Sequence, residues 1–295
     1  MNLPTETLTL ENPAPPASVT SGSVGSSDLL GGFGKTHEVW KYGGGTQSVA
    51  IAALILQGKL PKPEIAIIAD TGKERGSTWQ YMDEIVAPKL AKIGLTIIRA
   101  HASDHAYYHE GVYNRKGTLL IPAFTDVSGK KGKMSGYCNK WWKQDVVNNW
   151  LRRERGIRKE QVRSWIGFSA DEWTRVNRMK QGGEYKAGRI TFPLFDLGLR
   201  RKDSIALVEA MGWPTPPRSA CWMCPNQLDA EWLDLKENHP AEFALAVQTE
   251  REMRERDANY WLHDSCRPLD TVAFTRGGDL FWRACDPKEG AACFT

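Results

Sequence analysis

The chain is predicted to be an α/β protein built on a doubly wound, mostly parallel sheet, with a helical, cysteine-bearing C-terminal region. Three observations carry that expectation. Strand-like and helix-like runs alternate from His37 onward, the pattern that lays helices on both faces of a parallel sheet. The run 64–69 is apolar beyond its first residue, as a strand covered on both faces must be. A glycine turn, Gly43-Gly44-Gly45, joins the first strand to the first helix, and glycine lets backbone bend sharply and approach a ligand closely.

In order along the chain, residues 37–42 read as the first strand and 48–57 as the first helix, with 64–69 the second strand. Residues 77–93 carry helical spacing through Trp79, Met82, Ile85, Val86 and Leu90, with Pro88 expected to kink or break the run. Residues 95–99 read as a third strand. The stretch 101–133 loses periodicity and is expected to be an irregular insertion of the lid or substrate-loop kind. Helix resumes over 141–155, a fourth strand is expected over 162–168, and 201–211 is a further amphipathic helix.

Of the 295 residues, the first 34 are rich in Pro, Ser, Thr and Gly and read as a disordered tail. Residues 35–212 then form the nucleotide-binding α/β domain and 213–295 a helical, metal-binding region. The start lacks the basic and apolar blocks of a secretory signal, and nowhere do 18 apolar residues run together. A cytoplasmic protein with no membrane partner is expected. In that compartment the six cysteines point to metal ligation or redox chemistry rather than to a disulfide framework.

The turn Gly43-Gly44-Gly45-Thr46-Gln47-Ser48 is the strongest functional signal. Backbone amides at a helix start face whatever anion lies there, and phosphate is the natural occupant. The sequence is neither a Walker loop nor a dinucleotide fingerprint. A second signal follows the second strand, where Asp70-Thr71-Gly72-Lys73-Glu74 falls at the edge at which open α/β sheets bind ligands. Asp171, Glu172 and Arg175 follow the fourth strand at the same edge. There carboxylates can hold Mg²⁺ or a ribose and an arginine can hold a phosphate, or the acids can simply open a helix.

Cys221 and Cys224, in Ala220-Cys221-Trp222-Met223-Cys224-Pro225, have the spacing of two thiolates gripping one metal ion or two corners of a cluster. A redox pair or two packed thiols are the alternatives. The histidines His101, His105 and His109 stand four apart and would share a helix face. Between Gly129 and Glu160, ten lysines and arginines face three acids, interleaved with Trp141, Trp142 and Trp150. That stretch is either a solvated helix face or a surface for polyphosphate or nucleic acid.

Together the motifs resemble the SGGxDS pyrophosphate loop and DTG segment of the adenine nucleotide alpha hydrolases, which include N-type ATP pyrophosphatases (PP-loop enzymes) and sulfonucleotide reductases. The likeness to the phosphoadenosine-phosphosulfate-reductase-like group runs over about 38–227. Two positions depart from it: Gly43 replaces the first serine and Gln47 the aspartate. The resemblance implies that Gly43 to Ser48, Asp70, Thr71, Gly72, Asp171 and Glu172 bind ATP with Mg²⁺, and that Lys140, Lys143 and Arg175 assist as cations. It also implies a metal centre at Cys138, in Cys138-Asn139-Lys140-Trp141-Trp142-Lys143, with Cys221 and Cys224. A fourth ligand would come from Cys266, a non-cysteine group or an exogenous sulfur. The centre would be a [4Fe-4S] cluster, with zinc as the alternative. The implied activity is adenylation of an acceptor, nucleic acid or small molecule, for sulfur transfer from an unnamed donor. A sulfonucleotide reductase is the rival, weakened because neither Cys285 nor Cys293 is followed by Gly-His. A non-catalytic nucleotide- or nucleic-acid-binding module is the third reading.

Overall fold

The computed structural model describes residues 35–104 and 111–275. Its centre is a five-stranded parallel sheet in the order β3-β2-β1-β6-β7, formed by β1 (His37–Lys41), β2 (Ile65–Asp70), β3 (Ile97–His101), β6 (Val162–Trp165) and β7 (Ile190–Thr191). The chain builds outward from β1 to β3, then returns to add β6 on the other side of β1. Strand order therefore reverses between β1 and β6, the position where open sheets leave a crevice at their carboxyl ends.

Both faces of the sheet are covered. On one, α1 (Thr46–Leu56) and α8 (Arg201–Ala210) pack with Trp40, Ile68, Ile51, Leu54 and Trp213. On the other, α4 (Asp145–Arg155) lays Val146, Val147 and Leu151 over Val39, Ile65 and Ile67. The predicted second helix is continuous in direction but changes form. It runs as α2 (Gly76–Tyr81), a π-turn over Met82–Val86 and α3 (Ala87–Ala91). Pro88 supplies no N–H, and the wider turn just before it absorbs the break. The third strand begins two residues later than expected because the Leu95 amide is bonded to the Leu90 carbonyl, closing the helix end around Gly94.

The expected irregular insertion is ordered over much of its length. β4 (Ala123–Val127) and β5 (Lys130–Met134) form an antiparallel hairpin turned by Ser128 and Gly129, both at positive φ. That is the two-residue turn whose twist suits a hairpin. β8 (Tyr260–Trp261) pairs with β4 to complete a three-stranded sheet. His101 ends β3 rather than opening a helix, and its ring meets Asp70 at 3.2 Å. His105 and His109 lie outside the described residues, as do Cys285 and Cys293.

The small sheet shares a second core with the C-terminal helices. Trp232 and Leu235 of α9 (Asp229–Asn238) and Ala246 and Met253 of α10 (Pro240–Arg256) pack against Leu120, Ala123, Trp142 and Met223. The buried Glu250 carboxylate accepts the amides of Leu262 and Leu269 at 2.8 and 2.7 Å, pinning the segment after α10 to that helix. The remaining short helices, α5 (Trp173–Lys180), α6 (Gly183–Lys186) and α7 (Pro193–Asp196), surround the strand β7. No helix among the described residues is long and apolar enough to cross a membrane.

Residues 136–138 lie against 120–122, where the amides of Tyr137 and Cys138 both donate to the Leu120 carbonyl. A Cβ on Gly136 would stand 2.5 Å from Pro122 Cδ and 2.6 Å from the Ile121 carbonyl carbon. Backbone cannot yield as a side-chain tip can. Gly136→Ala is therefore expected to cost on the order of 2 kcal/mol in urea unfolding. Gly183→Ala, where a Cβ meets nothing within 4 Å, should be neutral or slightly stabilising.

Candidate functional site

The glycine turn sits at the carboxyl end of β1. Gly44 has φ +77° and Gly45 is extended, opening α1 at Thr46. The Gly43 amide donates to Ser48 Oγ at 2.8 Å, so the serine hydroxyl closes the loop on itself. The loop is roofed. A Cβ on Gly44 would reach 2.5 Å from Thr78 Cγ2 and 3.4 Å from Ser219 Oγ. The hydroxyl of Thr78 is fully buried without a hydrogen-bond partner, and a buried polar atom left this way calls for a ligand or water.

To one side, Gln47 donates to Glu172 at 3.4 Å. Glu172 pairs with Arg175 and accepts the Ser169 amide at 3.1 Å, while the Ser169 hydroxyl is a second buried orphan. Burial pushes the Glu172 carboxyl up against the opposing pull of Arg175. Asp171 accepts the Arg201 amide at 2.5 Å, capping α8. Asp70 likewise serves the backbone, accepting the Gly72 amide at 2.8 Å where Gly72 takes φ +67°. Thr71 Oγ1 accepts the Lys73 amide at 3.2 Å.

To the other side, Glu74 and Cys221 form an antiparallel bridge, with the Arg75 amide on the Ala220 carbonyl at 3.1 Å and the Trp222 amide on the Lys73 carbonyl at 3.0 Å. The segment after the DTG sequence thus carries the CxxC turn to the carboxyl edge of the sheet. The Arg75 guanidinium anchors it from below, reaching Gln227, the Glu231 carbonyl at 2.9 Å and Asp234 at 3.3 Å. The Glu74 carboxylate is then shared by Lys143 at 2.7 Å, Ser219 at 3.5 Å and Cys221 at 3.8 Å. Burial and the Glu74 charge push the Cys221 thiol up. Burial opposes the Lys143 charge, but Glu74 and Cys221 more than offset it, and its pKa is raised.

The crevice predicted by the strand order is present as a cavity of about 380 Å³. Gly43, Glu74 and Lys143 line it, as do Lys41, Ser164 and Arg189. Ligand sites are typically of this size, apolar with a few convergent polar groups. Lys41, Glu184 and Arg189 were not marked out by sequence motifs, and Lys159 only as one cation of the basic stretch, although a lysine closing an otherwise buried strand was a signal. Burial lowers the Lys41 ammonium to about 8, and Glu184 offsets this only in part.

The sequence-predicted cations separate. Lys143 lines the cavity; Lys140 is exposed and pairs with Asp145 at 3.0 Å; Arg175 is held by Glu172. The basic stretch is divided between β5 and α4, and Trp142 is buried beneath Lys73 rather than offered as a stacking surface. Of the thiols, Cys266 stands apart. Cys221 feels the charges of Glu74, Lys143 and Cys138, whereas Cys266 lies among Lys131, Asp126, Asp264 and Glu250. No disulfide joins the four described cysteines. Among the described residues no three His, Cys, Asp or Glu side chains are arranged to hold a metal ion. Cys221 thus has Cys138 beside it and Cys224 in its own turn, and Cys266 does not join them.

No protein-family model and no curated protein matches the chain. Among solved structures it is similar to "U34-tRNA thiolase NcsA from Methanococcus maripaludis with its [4Fe-4S] cluster", at 17% identity and a TM-score of 0.40, over 74% of this chain and 72% of that one. A likeness of that degree decides nothing about substrate or cofactor here.

Two outcomes follow from the geometry. Gly44→Ala should destabilise the protein, and Thr78→Ser, which removes the methyl that the new Cβ meets, should recover about 1 kcal/mol of the loss in a double-mutant cycle. A further cost of about 1 kcal/mol should persist from the positive φ. The second concerns Lys41, whose ammonium burial pushes down to about 8 in the folded chain from the 10.5 of a solvated lysine. Between those values the unfolded chain binds the extra proton, so stability rises with pH. Wild type should gain stability relative to Lys41→Met between pH 8 and 10, read from denaturant midpoints; a flat difference would remove the desolvated lysine.

Proposed function

We propose that the chain is a PP-loop ATP pyrophosphatase that adenylates an acceptor. The observation that carries this reading is that Gly43 of the glycine loop lines the β1/β6 crevice, while Thr78, whose buried hydroxyl lacks a partner, packs its methyl on Gly44. The loop amides and the start of α1 would hold the phosphates, and the apolar walls formed by Ile67, Ile166 and Ile190 would take the base. An acceptor oxygen would attack the α-phosphorus as the bond to pyrophosphate breaks, its proton passing to solvent. The chain would contribute positioning and electrostatic stabilisation of the leaving group rather than a covalent nucleophile.

Of the three cations the resemblance implies, Lys143 is the one best placed for that task, since it lines the cavity and Lys140 and Arg175 do not. Mg²⁺ would arrive with the nucleotide, which ordinarily needs one or two protein carboxylates. Displacement of the adenylate by sulfur is the finer part of the reading. It is supported by the resemblance in the loop and by thiols lying beside Glu74. No step is assigned to a metal centre.

A non-catalytic nucleotide-binding role is the second reading. Gln47 favours it, because an amide engaged by Glu172 replaces the carboxylate of the family pattern.

Calorimetry with Mg-ATP, paired with a pyrophosphate-release assay, tests both. Ser48→Ala frees the Gly43 amide and should weaken ATP about five- to tenfold in a folded protein. No ATP binding by wild type, or unchanged affinity in Ser48→Ala, overturns the loop assignment. Tight binding with no pyrophosphate release in the presence of nucleic acids and small acceptors would favour the binding module.

A further inference from the structure

Lys41 is an anomaly of sequence that the fold explains only as part of a site. It closes the central strand β1, opposite Ile67 of β2, where a parallel strand covered on both faces should be apolar. Trp40 and Tyr42 on the opposite face are indeed buried in the core. Lys41 instead points into the crevice, whose walls beside it include Ile67 and Ile166.

Placing an ammonium there costs solvation that an ion pair would normally offset, yet among the described residues Lys41 makes no hydrogen bond or ion pair. The two carboxylates that line the cavity are both engaged: Glu74 by Lys143 at 2.7 Å and Glu184 by Arg189 at 2.7 Å. Four cations line the cavity with those two acids. The excess falls on Lys41 and on the exposed Lys159, whose closest carboxylate contact is the half-buried Glu160 at 3.9 Å. An enclosed positive excess with apolar walls selects an anion small enough to enter. Asn148 and Ser164 in the same walls add polar groups that can fix its orientation.

The charges lining the crevice fall into two groups: Lys41, Lys159 and Arg189 gather about Glu184, whereas Lys143 and the Cys221 thiol gather about Glu74. Two such groups suit two anionic groups in one crevice. We propose that the crevice is bipartite: the loop holds the phosphates of ATP, and Lys41, with Lys159 and the paired Arg189, holds the phosphate or carboxylate of a small-molecule acceptor. The acceptor role rests on the adenylation reading above; the anion site rests on the cavity itself. The acceptor is then a phosphorylated or carboxylated small molecule, and the exposed lysines of β5 and arginines of α4 are not its binding surface.

Pyridoxal 5′-phosphate tests this on the full chain. Its aldehyde condenses with a neutral amine, releasing water, and borohydride reduces the imine to a stable adduct that peptide mapping locates. At pH 8 roughly half of Lys41 is neutral, against under about 1% of an ordinary lysine. Lys41 should be the dominant adduct. Millimolar inorganic phosphate should slow its formation both without ATP and with saturating ATP. Lys159→Gln, at an exposed position that leaves the core untouched, should weaken the phosphate protection about three- to fivefold.

Absence of a Lys41 adduct, or an adduct that phosphate does not slow, overturns the anion site. Loss of the adduct on ATP binding, with nothing left for phosphate to protect, assigns Lys41 to the nucleotide and overturns the bipartite site. Stronger protection by a short RNA or DNA strand than by phosphate at equal phosphate concentration overturns the small-molecule acceptor. ATP binding is scored separately by calorimetry. Failure there removes the adenylation reading, while the phosphate arm still decides whether the anion site exists.

Discussion

The site depends on one backbone contact, the bridge between Glu74 and Cys221 with its two flanking amide bonds. It joins segments 147 residues apart, and everything at the carboxyl edge of the sheet follows from it. It sets Ser219 over Gly44, so the phosphate loop acquires a roof from the C-terminal region. It delivers the Cys221 thiol to the Glu74 carboxylate and so to Lys143, which the π-turn Asn139–Gln144 projects from the start of α4. Without the bridge the loop would be an open turn at a sheet edge. The Arg75 contacts with α9 explain why the bridge can persist: a buried guanidinium held by three acceptors fixes the segment's position, and its burial is tolerable only because those acceptors are present.

Local features of the chain were legible where they are periodic or conformationally demanding. The parallel sheet was readable from runs such as Ile65 to Ala69, and the loop from three glycines, one of which does take a positive φ. The hairpin within 123–134 was not anticipated, although Ser128-Gly129 is a two-residue turn of the favoured kind. Its strand Lys130–Met134 is nearly all exposed and charged, so it carries no apolar alternation to announce it. The two-residue strands β7 and β8 are too short for any periodic signal.

The assembly of the candidate site was less legible, because it is made by contacts between distant segments. Asp70 and Asp171 looked like ligands in sequence, since carboxylates at the ends of parallel strands often are. The sequence does not show that each also holds a backbone amide, of Gly72 and of Arg201. The cysteines show the same limit. Spacing brings Cys221 and Cys224 into one turn, where the Cys224 amide bonds the Cys221 carbonyl at 3.0 Å. Whether Cys138 or Cys266 joins them is a question of tertiary packing. Cys138 arrives through the contact of 136–138 with 120–122, and Cys266 is carried away by the segment that Glu250 pins.

Lys41 and Lys143 show why charge count alone is a poor guide to function in this chain. Both line one cavity and both lose solvent, yet their equilibria move in opposite directions. Lys143 has the Glu74 carboxylate at 2.7 Å and a neighbouring thiol, so attraction exceeds desolvation and the charge is locked in. Lys41 faces a carboxylate already bound by Arg189, so desolvation wins and its charge is held at a cost. The ten cations between Gly129 and Glu160 include Lys143, which is spent on Glu74, and Lys140, spent on Asp145, as well as arginines bonded within their own helix or to a nearby carbonyl, such as Arg152 and Arg153. A linear excess of charge therefore overstates the field available to a polyanion. The desolvated ammonium, offset only in part by Glu184, is the more discriminating feature, because an incoming anion recovers solvation that folding removed.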